Sequence, residues 1–323
     1  MTTNLMTKYT RHISSFAILL TSLLYISTAS ANTSLTVLLD WFINPDHAPL
    51  IIAREKGYFE DVELDVTLVE PADPSLPPKM VAAGNADIAV SYQPQLHVQI
   101  DAGLPLVRFG TLVSTPLNSL VVLADGPIKS IADLKDRKVG FSVGGFEDAL
   151  LKSMLETHGL TLDDVELVNV NFSLSPSLIS GQVDAVIGAY RNFELNQMDI
   201  EGRPGKAFYP EEEGVPVFDE LILVSNTADR DNPALGQFIT AIETATTFII
   251  NHPDEAWEIF RRTDPDTLDN ELNKRAWRDT LSRFALRPGA LDTRRYRRFA
   301  EYMESQGLID KPPAVDTYAF EVQ

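Results

Sequence analysis

Aromatic and hydrogen-bonding side chains crowd one short stretch, Asp40-Trp41-Phe42-Ile43-Asn44-Pro45-Asp46-His47, directly after an apolar run that ends at Leu39. The adjacent Asp46 and His47 raise the question of an acid–base pair or a metal site. One imidazole beside one carboxylate is too small a ligand set, and sequence neighbours rarely converge on one ion. His97, His158 and His252 stand in contexts with no ligand spacing. A serine nucleophile has no support, because Ser142-Val143-Gly144 is not a Gly-x-Ser-x-Gly elbow. The chain has no cysteine, which excludes thiol catalysis, thiolate metal sites and disulfides. These residues therefore read as a binding wall or a busy turn rather than as a catalytic apparatus.

Two further stretches could meet a ligand. In Ser142–Asp148 (SVGGFED), Gly144, Gly145 and Phe146 follow a strand-like run and precede a helical one, where backbone N–H groups can cradle an anion. Glu147 and Asp148 already bring negative charge to that first turn, so contact with a neutral ligand, or a purely structural role, suits it better. In Gly188–Asp199 (GAYRNFELNQMD), Tyr190, Asn192, Phe193 and Glu194 combine aromatic and hydrogen-bonding character. Flat aromatic faces with carboxamides and a carboxylate suit a small heteroaromatic ligand that carries N–H donors. Packing of a lobe interface is the plainer use for the same aromatics.

An internal echo supplies the elements that would position these groups. GNADIAVSY (Gly84–Tyr92) and GQVDAVIGAY (Gly181–Tyr190) each have a glycine, an aspartate three residues on, an apolar strand, and a tyrosine at its end. The glycine suits the left-handed position that stops a helix. In open α/β sheets ligands sit beyond the carboxyl ends of the strands. That places Ser91, Tyr92 and Gln93 from the first copy, with Trp41, Phe42 and Asn44, opposite Tyr190 and Glu194 from the second. Around the echoes, strand-like runs (35–39, 62–69, 86–90, 104–113, 138–143, 167–170, 184–187) alternate with helical patterns (48–56, 79–83, part of 93–102, 147–158, 176–180), which indicates α/β units with mostly parallel sheets. After Pro233 the pattern turns helical, with further helices expected over 253–262, 268–284 and 293–306. Arg294, Arg295, Arg297 and Arg298 read as a solvated face of the last of these.

Bulk properties narrow the class. A chain of 323 residues is comfortable for two lobes, and 44% hydrophobic with 23% charged residues is ordinary for a soluble protein. A net charge of −19 argues against nucleic acid and anionic membrane surfaces as partners. Lys8, Arg11 and His12 precede an apolar run from Ile13 to Tyr25, and Ala29-Ser30-Ala31 offers a cleavage site, the layout of a secretory signal peptide over residues 1–31. An uncleaved anchor is the alternative. Cleavage would remove Lys8 and Arg11 and no acid, taking −19 to −21. A periplasmic location follows as the expectation, and the lack of cysteine leaves no residue for a lipoprotein anchor.

The segments LDWFINPDHAPLIIAREKGYF (39–59), EPADPSLPPKMVAAGNADIAV (70–90) and IADLKDRKVGFSVGGFEDALL (131–151) resemble substrate-binding proteins of ABC importers in the family shared with the fungal thiamine-pyrimidine precursor synthase. The tract from Asn169 to Asp199 is most similar to importers of formylaminopyrimidine or hydroxymethylpyrimidine. The resemblance implies a two-lobed periplasmic binding fold of type II. Residues 32–123 and 219–323 would form the first lobe and 124–218 the second, with crossings near 123–125 and 217–221. By motif position it assigns Trp41 and Asn44 to the first-lobe site and Tyr190 and Glu194 to the second. Together with the stretches above, the expected cleft comprises these four with Ser91, Tyr92, Gln93, Gly144, Gly145, Phe146 and Asn192, and with Asp46 and His47, which either touch ligand or only brace the turn. Trp41 and Tyr190 would flank an aminopyrimidine ring, and Glu194 would accept its N–H groups. A membrane permease is the implied partner, with no nucleic acid, no cofactor and a monomeric state. Where the synthase carries its cofactor lysine this chain has Ser91, and where it carries its donor histidine this chain has Gln95, so a binding protein rather than an enzyme is expected. Riboflavin, alkyl sulfonates or nitrate-like anions remain alternative cargoes, although only Arg191 lies near the motifs to hold an anion; a periplasmic enzyme on the same scaffold is a third possibility.

Overall fold

The computed structural model describes residues 32–322, so the expected signal peptide lies outside the described residues. Ten strands form two five-stranded sheets. The first contains β1 (Thr33–Leu38), β2 (Leu64–Val69), β3 (Ile88–Ser91), β4 (Leu106–Val113) and, from much later in the chain, β10 (Leu221–Asn226). The second contains β5 (Asn118–Leu123), β6 (Arg137–Phe141), β7 (Val165–Asn169), β8 (Ala185–Tyr190) and β9 (Gly205–Phe208). Their orders are β2-β1-β3-β10-β4 and β7-β6-β8-β5-β9. In each sheet three strands pair in parallel, and one further strand, β10 in the first and β5 in the second, runs antiparallel to both its neighbours. The two orders are the same once β6, β7, β8 and β9 are matched to β1, β2, β3 and β4. The sequence echo is thus a topological one: β3 and β8 are the central strands of equivalent sheets.

The antiparallel strands explain a difference from the expected boundaries. Asn118–Leu123 pairs with β8 and β9, so this strand belongs to the second sheet and the first crossing falls at 114–117, ahead of the expected 123–125. Ser114-Thr115-Pro116 ahead of this strand reads as an ordinary turn between strands, which hides the boundary in the sequence. The second crossing ends at Leu221, close to where it was expected. The expectation of mostly parallel sheets holds for strand direction, but half of the neighbour pairings are antiparallel.

Twelve helices cover the sheets: α1 (Ala48–Glu55), α2 (Pro77–Ala82), α3 (Gln93–Asp101), α4 (Glu147–Thr157), α5 (Leu174–Ile179), α6 (Glu194–Ile200), α7 (Pro233–Asn251), α8 (Pro253–Arg262), α9 (Pro265–Leu268), α10 (Glu271–Thr280), α11 (Thr293–Ser305) and α12 (Val315–Tyr318). α7 shows why the chain folds as it does. Asn232 caps it by accepting from the Ala234 N–H at 3.0 Å, and Pro233 occupies the first turn, where its missing N–H costs nothing. Leu235, Phe238, Ile239, Ile242, Ala245 and Ile249 then recur at helical spacing and are buried, Phe238 stacking on Phe59 with ring centroids 5.1 Å apart. Each such side chain contributes roughly 1.5–3 kcal/mol on burial. The expected helix over 268–284 is instead broken into α9, α10 and a 3-10 turn at Leu281–Arg283.

Helix α2 ends before Gly84 and α5 before Gly181, at φ +74° and +75°, the left-handed stop that the echo predicts. β8 is covered on both faces: Val186 packs with Leu174 and Leu178 of α5, and Ile187 belongs to the core that includes Leu150 and Leu151 of α4. A strand buried on both faces leaves only its carboxyl tip for a ligand.

The two crossings are tied together. Glu220 accepts from the backbone N–H groups of Leu117 at 2.6 Å and Asn118 at 2.9 Å. Arg295, expected on a solvated face, instead donates to the Ser114 carbonyl at 2.9 Å and pairs with Asp219. One residue of α11 therefore grips both segments that join the lobes.

Candidate functional site

The carboxyl ends of β1, β3 and β8 converge on a narrow cavity of about 30 Å³. Asp40, Trp41, Asn44, Asp46, His47, Tyr92 and Leu221 line it from the first lobe, and Asn118, Phe146, Glu147, Leu174, Gly188, Tyr190, Phe193 and Glu194 from the second. The tips of the two echo strands, Tyr92 and Tyr190, thus share one space with Trp41.

On the first-lobe wall the polar groups are matched within the lobe, except for Asp46 Oδ2. Asn44 caps the 3-10 turn Pro45–His47 by accepting from the Asp46 N–H at 2.8 Å, and its own N–H donates to His47 Nδ1 at 3.3 Å. An N–H can only donate, so Nδ1 is the acceptor nitrogen and Nε2 carries the hydrogen toward Asp40 Oδ1, 2.9 Å away. The Tyr92 hydroxyl donates to the other Asp40 oxygen at 2.9 Å. Burial, with Asp40 next, pushes the Tyr92 hydroxyl well above its ordinary range.

Across the cavity the carboxyl groups are held only by backbone. Glu147 Oε2 accepts from the N–H groups of Ser142 at 2.6 Å and Val143 at 3.1 Å, so the turn that could cradle an anion is filled by the chain's own carboxyl group. Glu194 Oε2 accepts from the Tyr190 N–H at 2.6 Å. Burial raises Glu147 to about 8 and Glu194 to about 7, and likewise Glu220, behind Tyr190, to about 7. The Tyr190 hydroxyl and Glu220 Oε1 are both buried without a well-formed hydrogen bond. Gly188 sits against Glu147: at φ +99° it is left-handed, and a Cβ there would overlap the Glu147 carboxyl.

Aromatic rings from both lobes complete the walls. Tyr92 and Phe146 stack at 4.8 Å with planes 15° apart, and Phe172 of the second lobe inserts between Trp41 (4.7 Å) and Phe42 (4.5 Å). Trp41 and Phe42 therefore serve the lobe interface, Trp41 while still lining the cavity.

Of the residues expected in the cleft, Trp41, Asn44, Asp46, His47, Tyr92, Phe146, Tyr190 and Glu194 line the cavity; Ser91, Gln93, Gly144, Gly145 and Asn192 do not. Ser91 donates to Gln95 Oε1 at 2.9 Å, so the positions that the resemblance matches to cofactor lysine and donor histidine are bonded to each other. Gln93 accepts from the Asp219 N–H at 2.8 Å and braces the second crossing. Gly144 and Gly145 lie in the turn around Glu147. Asn192 reaches across to the first lobe, where its Nδ2 lies 2.7 Å from Asp46 Oδ1. Phe193, named with Tyr190 and Glu194, lines the cavity too, whereas sequence reasoning missed Asp40 as a lining residue, together with Asn118, Glu147, Leu174, Gly188 and Leu221. Asn118 and Leu221 begin the two unrecognised antiparallel strands, whereas Asp40 stood in the crowded stretch and could have been found.

Among the described residues no free cation lines the cavity, and His47, the basic residue among those that line it, faces Asp40. Arg191 is committed to Glu211, at 2.6 and 3.0 Å, and to the Asn118 carbonyl at 3.1 Å, while its guanidinium lies over the Tyr209 ring. His97 lies away from the cavity, and burial lowers it to about 3. Among the described residues no cluster of three or more histidine or acidic side chains could hold a metal ion.

Residues 44–256 match the NMT1/THI5-like family. The chain belongs to that family. A Haemophilus influenzae protein whose name assigns it to thiamine biosynthesis is 54% identical over 293 residues, covering 91% of this chain and 93% of the relative. A formylaminopyrimidine-binding protein of Halalkalibacterium halodurans is 34% identical over 274 residues, 82% of this chain and 83% of the relative. The family also includes 4-amino-5-hydroxymethyl-2-methylpyrimidine phosphate synthases; that of Candida albicans is 26% identical over 79% of this chain and 78% of its own. Among solved structures, the alkanesulfonate-binding protein SsuA of Xanthomonas axonopodis pv. citri superposes with a TM-score of 0.71 at 16% identity, covering 90% of this chain and 99% of that one. The fold of this NMT1/THI5-like chain is accordingly that of the periplasmic binding proteins.

Proposed function

We propose that this protein is the solute-binding component of an ABC importer and that it captures a thiamine-precursor aminopyrimidine, formylaminopyrimidine or hydroxymethylpyrimidine, in the periplasm for delivery to a permease. The observation that carries this reading is the lining of the cavity: aromatic faces from both lobes, carboxyl groups with acceptor oxygens, and no cation left free for an anion. An aminopyrimidine is a flat ring whose amino group donates two hydrogen bonds, which such a lining complements. The formylaminopyrimidine-binding relative supports the same cargo. In this reading Trp41 and Tyr190 flank the ring, and Glu194 accepts from it. Ligand favours the closed lobes, the state a permease would recognise. Binding without turnover is part of the proposal, supported by the mutual hydrogen bond of Ser91 and Gln95.

Calorimetric titration of residues 32–323 with hydroxymethylpyrimidine, formylaminopyrimidine, thiamine and riboflavin tests the reading. One of the two aminopyrimidines should bind with 1:1 stoichiometry and tightest of the four, and recovered ligand should be chemically unchanged. Glu194→Ala should weaken that binding by about 1–3 kcal/mol. Selective binding of riboflavin, or conversion of the ligand, would overturn it.

A further inference from the structure

One buried polar cluster between the lobes centres on a carboxyl group. Asp46, 1% exposed in its 3-10 turn on the first lobe, has the Asn192 Nδ2 from the second lobe 2.7 Å from Oδ1 and the Thr280 hydroxyl 2.9 Å from the same oxygen. Thr280 is the last residue of α10, and the Asn192 Nδ2 also lies 2.7 Å from its oxygen. Two other contacts run along this face of α10: Asn196 donates to Asp279 at 2.8 Å, and Arg275 pairs with Asp199 at 2.6 Å. Those pairs are exposed and contribute little; the Asp46–Asn192–Thr280 cluster is buried. Thr280 does not itself line the cavity and lies outside the stretch 44–256 that matches the family.

The second oxygen of Asp46 is the informative one. Oδ2 is buried and has no partner among the described residues, although Asp46 lines the cavity. A buried acceptor without a donor is unfavourable by roughly 1–3 kcal/mol. Its neighbours cannot relieve it. The His47 Nε2 faces Asp40, the His47 Nδ1 is an acceptor, the Asp40 carboxyl repels, and Thr280 and Asn192 are engaged at Oδ1. The donor has to enter from the cavity.

We propose that Asp46 joins ligand capture to lobe closure: Oδ1 is the keeper of a latch formed by Asn192 and Thr280, and Oδ2 selects ligands that present an N–H donor. The inference rests on the solute-binding reading above and adds the residue that sets donor specificity and the residue, Thr280, that positions it. A ligand donor at Oδ2 orients the carboxyl group so that Oδ1 faces the second lobe. Losing the latch should therefore speed ligand release and leave encounter unchanged.

The test compares 4-amino-5-hydroxymethyl-2-methylpyrimidine with its 4-methoxy counterpart, which lacks the donor, by stopped-flow and calorimetry on residues 32–323. The unsubstituted protein should prefer the amino compound by about tenfold or more. Asp46→Asn, which offers a donor of its own, should abolish or invert that preference. Thr280→Val should raise the dissociation rate about tenfold with the association rate unchanged, and Thr280→Ser should restore it. A merely structural Thr280 would alter thermal stability without moving dissociation. Should Asp46→Asn fail to fold, Asn192→Ala is expected to behave as Thr280→Val does. A retained amino preference in Asp46→Asn, or unchanged dissociation in Thr280→Val, overturns the inference while leaving the solute-binding reading intact. If neither pyrimidine binds but thiamine or riboflavin does, the pyrimidine reading falls and the same variants are scored on that ligand. Binding of a sulfonate such as MOPS alone overturns both.

Discussion

The two walls of the cleft are built on equivalent sheets yet handle charge in opposite ways. On the first, Asp40 has a donor at each oxygen, His47 and Tyr92, and the set is closed within the lobe. On the second, Glu147 and Glu194 are held by backbone N–H groups, no cation approaches them, and burial raises both. Tyr92 and Tyr190 show the same contrast at equivalent strand tips. The Tyr92 hydroxyl is bonded to Asp40, and the Tyr190 hydroxyl has no well-formed partner. The first wall is a finished scaffold apart from Asp46, whose Oδ2 has no partner. The second holds carboxyl groups in a state that a donor from the ligand would relieve.

Neutralising one acid on each wall should have opposite consequences. Asp40→Ala strands the His47 Nε2–H and the Tyr92 hydroxyl in the interior and should cost about 3 kcal/mol, read from the midpoint of urea unfolding. Gly188→Ala should cost about 2 kcal/mol by the same measure, because it combines a left-handed backbone with overlap of the Glu147 carboxyl. Part of that loss should vanish in the Glu147→Ala background, where only the backbone strain remains.

Smaller effects follow from pH. A carboxyl group raised on folding binds protons more tightly in the native state. Its penalty is absent below the ordinary glutamate range and grows until the pH passes the raised value. That window runs from about 3.8 to about 6 for Asp46 and from about 4.5 to between about 7 and about 8 for Glu194, Glu220 and Glu147. Thermal unfolding should therefore occur at a lower temperature at pH 8.5 than at pH 5.5, by on the order of 5 °C. Glu147→Gln should flatten the upper part of that dependence and raise stability slightly at pH 8.5. A loss of stability there would mean that the second wall is as well compensated as the first.

Much of this was legible in the sequence. The echo of Gly84–Tyr92 in Gly181–Tyr190 identified the central strands of both sheets, because a buried strand must be apolar throughout and its preceding helix must stop at a left-handed glycine. The crowded stretch after Leu39 identified the first wall. What stayed hidden has a common cause. β5 and β10 are short apolar runs that begin just after the two crossings, where the turn residues Ser114-Thr115-Pro116 and Gly214-Val215-Pro216 look like any loop, and their first residues Asn118 and Leu221 went with them. Glu147 read as a helix-start charge; that its side chain folds back onto Ser142 and Val143 depends on the register of β6 against α4. The contact of Thr280 with Asp46 spans 234 residues and leaves no local pattern.

The central claim is that the two lobes close over one flat N–H-donor ligand held between Trp41 and Tyr190. The absence of cysteine makes a direct test simple, since Asp65→Cys and Glu166→Cys, exposed positions on β2 and β7, can carry a pair of spin labels without background. Adding an aminopyrimidine should shift the measured distances to a single shorter population, and the shift should be lost in Trp41→Ala. A distance distribution unmoved by a saturating aminopyrimidine, or shortened equally by an alkyl sulfonate, would contradict the account.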